Sequence, residues 1–174
     1  MPTVEIDGQV YTYDDDRHDK LLQFCLDHDI ELPHFCYHPS MSIPANCRQC
    51  LVQVGTPERD RATGELVTDE DGTPNIQFMP GMQTSCTIGL QDGMVVKTHR
   101  TSEAVRDAQK DTLEFLLINH PLDCPICDQA GHCPLQIQAY KYGPEGSRFE
   151  FRKVHKPKRV KLGPRVTLDA ESCI

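Results

Sequence analysis

Cysteine sets the narrowest limits on how this chain can fold. Nine cysteines in 174 residues is an odd number that simple disulfide pairing cannot use up. No basic segment followed by an apolar run opens the sequence, and no stretch approaches the roughly 20 apolar residues of a membrane span, so the chain reads as soluble and unexported. Where thiols stay reduced, clustered cysteines serve as metal ligands. Metal-bound loops can brace small subdomains, and a hydrophobic share of 38% supplies a core for one ordinary domain or two small ones.

Cys36, Cys47, Cys50 and Cys86 follow the pattern C-x10-C-x2-C-x35-C. Three would come from one loop and its edge and the fourth from a distant segment. That arrangement suits a [2Fe–2S] cluster in a small sheet, with two thiolates on each tetrahedral iron. Residues 44–51, PANCRQCL, place backbone N–H donors next to the sulfurs, where they tune reduction potential. A four-cysteine zinc site uses the same residue types, although it is usually built from two close pairs, and here Cys36 and Cys86 stand alone. Cys25 lies on an apolar helical stripe and reads as a small buried hydrophobe. His34 and His38 flank Cys36 and read as exposed loop residues, with ligation in the manner of Rieske centres as the alternative.

Residues 120–133, HPLDCPICDQAGHC, form H-x3-C-x2-C-x5-C from His120, Cys124, Cys127 and Cys133. Four ligands so close in sequence can enclose one [4Fe–4S] cubane, one per iron. An imidazole in place of a thiolate removes a negative charge and raises the expected potential. The alternative is a zinc knuckle whose fourth ligand is His120 or His132.

Periodicity places these ligands on a mixed scaffold. Alternating residues around Asp7-Gly8 predict a hairpin over 3–13. Leu21, Leu22, Cys25 and Leu26 predict an apolar helical stripe over 19–30, with Pro33 as the stop. A loop from Leu32 to Asn46 leads to a strand over 50–54. Residues 55–75 form a polar excursion with a hairpin at Asp71-Gly72, and strands follow at 76–78 and 93–98. Together these suggest a small mixed sheet packed on one helix. Thr101 or Ser102 can cap a second helix with Val105, Ala108, Thr112, Leu113, Leu116 and Leu117 on one stripe. It should end near Asn119, because Pro121 disfavours helical geometry at His120. Residues 157–165 read as a linker.

The order of the two motifs resembles the large iron–sulfur subunit of respiratory complex I, the proton-pumping NADH:quinone oxidoreductase. Residues 45–52 (ANCRQCLV), 91–96 (QDGMVV) and 118–127 (INHPLDCPIC) carry the resemblance, which extends over essentially the whole chain. It implies an α+β fold with a β-grasp [2Fe–2S] ferredoxin-like domain over 1–100. A small helical [4Fe–4S] module with one histidine and three cysteine ligands would follow over 101–156. Residues 157–174 would be a linker and the truncated start of a further [4Fe–4S] domain, with Cys173 as the candidate first ligand of a third, incomplete cluster. The sequence is therefore expected to be the N-terminal portion of a longer polypeptide.

The resemblance further implies that single electrons pass from NADH and flavin on a partner subunit toward quinone. Other hydrophilic-arm subunits would be partners, and no NADH, flavin or quinone site is expected on this chain. Membrane contact would come only through the assembled complex, on the cytoplasmic side of a bacterial inner membrane or the matrix side in mitochondria. An electron-transfer subunit of an NAD-coupled hydrogenase or formate dehydrogenase shares the cluster order and is the second reading. A zinc-stabilised interaction module is the third.

Charge argues against nucleic acid. Residues 1–151 carry 11 Lys and Arg against 24 Asp and Glu, whereas 152–174 carry seven against two. The basic segment reads as a salt-bridging strand between domains or subunits, and Asp14, Asp15 and Asp16 as a solvated loop. No phosphate loop, nucleophile elbow or paired-carboxylate motif is present.

Overall fold

The computed structural model describes residues 1–14 and 20–172, so Asp15, Asp16 and Cys173 lie outside the described residues. The chain forms two compact units, Met1–Gln109 and Lys110–Ile174.

In the first unit, β1 (Thr3–Ile6) and β2 (Gln9–Thr12) form the expected hairpin, with Ile6 opposite Gln9. Asp7 and Gly8 both have positive φ, 53° and 86°, the geometry a two-residue primed turn requires. The turn is pinned as well as bent. One Asp7 carboxylate oxygen accepts from the Thr98 N–H at 2.8 Å and the other from the Thr98 hydroxyl at 2.6 Å, with Thr101 donating a further bond.

Helix α1 (Leu21–Asp27) follows, then β3 (Leu51–Pro57), β4 (Ile76–Phe78), β5 (Gln83–Thr84) and β6 (Met94–Lys97). The sheet order is β2-β1-β6-β3-β4, with β5 pairing β3. β1 and β6 run parallel and the other pairs antiparallel. Val4, Ile6, Val52, Val54, Met94 and Val96 alternate onto one buried face and meet Leu21, Leu22, Phe24 and Cys25 of α1.

The helix departs from its sequence expectation in two ways. It spans 21–27 instead of 19–30, and Leu26 is 36% exposed, while Phe24 is buried with Tyr11 and Tyr13 edge-on to its ring at 6.0 and 6.3 Å. Pro33 does not stop it. Asp29 turns left-handed at φ 57°, the Ile30 N–H donates to the Cys25 carbonyl at 2.8 Å, and the chain folds back to bury Ile30 and Leu32. The short strand β5 has no counterpart in the sequence expectation. The excursion reverses as expected near Asp71-Gly72, but the Asp69 N–H pairs with the Thr73 carbonyl, closing a three-residue loop with Gly72 at φ 81°.

Ser102 caps α2 (Glu103–Leu117), its hydroxyl accepting from the Val105 N–H at 3.3 Å. Val105, Gln109 and Leu113 repeat every four residues on the buried stripe, so a glutamine joins the predicted apolar set. In the second unit, α3 (Pro134–Tyr142) starts with proline, which suits the first helical turn. β7 (Val160–Lys161) pairs antiparallel with β8 (Thr167–Leu168). The expected linker over 157–165 therefore contributes a strand, because Val160 and Lys161 find partners beyond the Gly163-Pro164 reversal.

Gly93 tests how tightly the sheet is built. Its φ is +74°, and an added Cβ would lie 2.8 Å from the Pro57 ring. Gly93→Ala should cost about 1–2 kcal/mol in urea unfolding. Gly146, with open space around it and no left-handed backbone, should tolerate alanine within about 0.5 kcal/mol.

Candidate metal centres

The loop between α1 and β3 carries Cys36 and Cys47 and delivers Cys50 at the start of the strand, while Cys86 follows β5. Hydrogen bonds bring these distant segments together. The Ser85 N–H and hydroxyl both donate to the Cys50 carbonyl, at 3.0 and 2.9 Å. The first N–H groups of α1, on Leu21 and Leu22, have no partner within the helix and donate to the Ile88 and Ser85 carbonyls, at 2.9 and 3.0 Å. The segment holding Cys86 is thus fixed between the helix start and the second member of the C-x2-C pair.

Within the loop, Ala45 and Arg48 take left-handed φ of 54° and 55°. The N–H groups of Asn46 and Cys47 donate to the Cys36 sulfur, and that of Gln49 donates to the Cys47 sulfur. Burial acts to raise the Cys36 thiol, but those donors outweigh it and hold it below its ordinary value. Burial prevails at Cys47 and pushes that thiol up. Cys86 is pushed up to about 12 by burial and then by Cys50, Cys36 and Cys47. Cys86 therefore lies within the field of the other three sulfurs. Buried thiols that repel one another in this way are favoured as thiolates around a cationic core, which an iron–sulfur cluster supplies.

Cys25 is buried in the apolar core and its thiol is pushed up to about 12 by burial and then Asp7. His34 donates from Nδ1 to the Leu32 carbonyl at 2.9 Å, and His38 Nδ1 accepts from the Ser40 N–H at 3.1 Å.

In the second unit, His120, Cys124, Cys127 and Cys133 all line one cavity of about 510 Å³. Each has a local reason for its place. His120 follows the end of α2, and a 3-10 turn over Cys124–Ile126 brings the Cys127 N–H to the Cys124 carbonyl at 3.3 Å. Cys133 occupies the N-cap position of α3. Leu117, Pro121 and Leu135 supply apolar lining. Burial first, then the Lys153 charge, hold the His120 imidazole below its ordinary pKa, with Asp123 and Asp169 opposing. The neutral ring is the form that binds metal. His132 does not line the cavity.

Among the described residues, no three His, Cys, Asp or Glu side chains close on a single ion-sized point. An iron–sulfur cluster does not require it. A [2Fe–2S] core takes two protein donors per iron and a cubane takes one, so both donor sets fit in number and chemistry.

Residues 1–101 match the model of the 2Fe-2S iron-sulfur cluster binding domain. The chain belongs to this family. Residues 109–148 match the NADH-ubiquinone oxidoreductase-G iron-sulfur binding region, and the two matches establish [2Fe–2S] and [4Fe–4S] clusters as the cofactors. The α+β reading, a ferredoxin-like domain before a helical cluster module, is borne out.

Similar curated proteins bear out the resemblance seen in the sequence. NADH-quinone oxidoreductase subunit 3 of Thermus thermophilus is 41% identical over 83% of this chain and 20% of its own length. An NADH-quinone oxidoreductase subunit of Streptomyces coelicolor is 43% identical over 83% of this chain and 15% of its own. The corresponding subunit of Rickettsia typhi is 37% identical over 87% and 19%. The chain thus spans a fifth or less of the relatives it matches. A crystal structure of NAD+-reducing [NiFe]-hydrogenase shares the fold with a TM-score of 0.71 at 24% identity, covering 99% of this chain and 62% of that one.

Sequence patterns do not reveal Ser85 or the left-handed Ala45 and Arg48, because nothing short-range marks a residue that clasps a segment 35 positions away. Cys86→Ser should lower iron from about six to about four per chain and abolish the [2Fe–2S] EPR signal, while Cys25→Ser should keep about six. Iron analysis with EPR of the reduced protein checks both.

Proposed function

We propose that this chain is the iron–sulfur electron-transfer portion of an NADH:quinone oxidoreductase, relaying single electrons from NADH and flavin on a partner subunit toward quinone. The observation that carries the reading is the pairing of a four-thiol site with a separate cavity where one imidazole joins three thiols. Cys36, Cys47, Cys50 and Cys86 would hold the [2Fe–2S] cluster, and His120, Cys124, Cys127 and Cys133 the [4Fe–4S] cluster. When bound, each supplies a one-electron couple.

The chain's own residues fix the environment of that couple. Backbone donors at Asn46, Cys47 and Gln49 offset negative charge on the first set, and burial of Cys50 and Cys86 keeps water off it. In the second set, a neutral His120 contributes no charge, and Cys133 sits at the N-cap position of α3. The chain would comprise a [2Fe–2S] domain over 1–100, a [4Fe–4S] module over 101–156, and a linker with the truncated start of a further [4Fe–4S] domain over 157–174, Cys173 being its candidate first ligand.

Partners would be the flavin-bearing NADH-oxidising subunit and other hydrophilic-arm subunits. The chain would be peripheral, on the cytoplasmic face of a bacterial inner membrane or the matrix side in mitochondria. No helix among the described residues is long and apolar enough to cross a membrane. The fold shared with the NAD+-reducing hydrogenase favours, as a second reading, an electron-transfer subunit of an NAD-coupled hydrogenase. The matched region over 109–148 weighs toward the quinone-reducing complex.

Anaerobically purified protein should be brown and contain about six irons and about six acid-labile sulfides; colourless protein with stoichiometric zinc would end the proposal. His120→Cys should retain a four-iron EPR signal at a lower midpoint potential, because a thiolate adds negative charge. An unchanged potential would remove His120 from the ligand set.

A further inference from the structure

The segment bearing His120 is held by residues remote in sequence. Helix α2 has no basic residue in its last turn, where exposed carbonyls attract a cation. Lys153 supplies one, its ammonium donating to the Leu117 carbonyl at 2.7 Å and the Ile118 carbonyl at 2.9 Å. The next residue reinforces the clasp, with the Val154 N–H donating to the Asn119 side-chain oxygen at 2.9 Å. Three successive residues before His120 are therefore gripped by two successive residues some 35 positions later.

The charges around this clasp are unequal. Asp123, beside Cys124, is paired with Lys158. Asp169 accepts from the Glu171 and Ser172 N–H groups and the Ser172 hydroxyl. Among the described residues, the contacts of the Lys153 ammonium are the two carbonyls, and it forms no ion pair. That ammonium sits on the carbonyls three and two residues before His120.

We propose that Lys153 is a positioning residue for the histidine-ligated centre, clamping the His120 arm and placing there a positive charge that raises the centre's reduction potential. The proposal rests on the reading that His120 is a cluster ligand. Reduction adds one negative charge to the ligated core, so a nearby fixed cation favours the reduced state. A residue that served only as a helix cap would hold the same carbonyls without moving a potential.

The test is EPR-monitored redox titration of the assembled complex carrying Lys153→Gln, Lys153→Arg or Lys153→Met, with the [2Fe–2S] signal as internal reference. Gln retains an N–H donor and loses the charge. It should disfavour reduction of the four-iron centre about tenfold, equivalent to about 59 mV for one electron. Arg should stay near wild type, and Met should fall at least as far as Gln and broaden the four-iron signal. If the Met variant loses the centre, Gln and Arg still decide. A Gln variant at the wild-type potential, or an equal shift in both centres, overturns the inference. The His120→Cys variant in the same titration separates the two claims: an unchanged potential there removes the ligation reading, whereas an unchanged Lys153→Gln potential beside a shifted His120→Cys one removes only the role of Lys153.

Discussion

Like charges held close together are the constraint on which the rest of this structure depends. Four thiolates cannot share one partly desolvated space unless a cationic core offsets their repulsion and the backbone holds them in place while it does so. Cys86 is pushed up to about 12 by burial first and by its three sulfur neighbours after it. The surrounding architecture answers it. Ser85 binds the Cys50 carbonyl twice, α1 directs its first free N–H groups to the segment around Cys86, and two left-handed residues accompany the N–H groups that face the sulfurs. A sheet with parallel β1 and β6 at its centre gives those segments a rigid base.

The second set meets the same constraint by different means. Its ligands lie within fourteen residues, so local turns arrange them and no long-range sheet is needed. One neutral imidazole reduces the anionic count, and one of the remaining thiols belongs to the N-cap residue of α3. Local ligation leaves the site more open, since Cys124 is exposed where Cys50 and Cys86 are buried. A [4Fe–4S] core spreads charge over more atoms than a [2Fe–2S] core and tolerates such an environment.

Much of this is legible in the sequence, and what is not has identifiable causes. The hairpin at Asp7-Gly8, the strands at 76–78 and 94–97 and the second helix follow from turn chemistry and periodicity, which are local signals. Both candidate ligand sets stand out in the sequence because metal geometry imposes spacing that few other functions require. The differences fall where tertiary context decides. Phe24 replaces Leu26 on the buried stripe because Tyr11 and Tyr13 offer it aromatic edges, and α1 ends at a left-handed Asp29 before any proline acts. β7 leaves no sequence signal because its partner lies beyond a Gly-Pro reversal and each strand is two residues long. Gln109 interrupts an apolar stripe yet is fully buried, its amide donating to the Leu51 carbonyl, a pairing no helical pattern could reveal.

The two sites also differ in what can be changed without losing them. At the first, ligand placement and fold stability share the same hydrogen bonds: those that fix Cys50 and Cys86 also start α1 and join β3 to β5. A substitution there disturbs the core and the cluster together. At the second, side chains outside the ligand set carry the charges, Lys153 on the Leu117 and Ile118 carbonyls and Lys158 on Asp123. Electrostatic adjustment therefore falls to residues outside the donor set in the second unit and is bound up with folding in the first. On this basis the helical unit is where a protein can most freely vary a reduction potential while keeping the same donors.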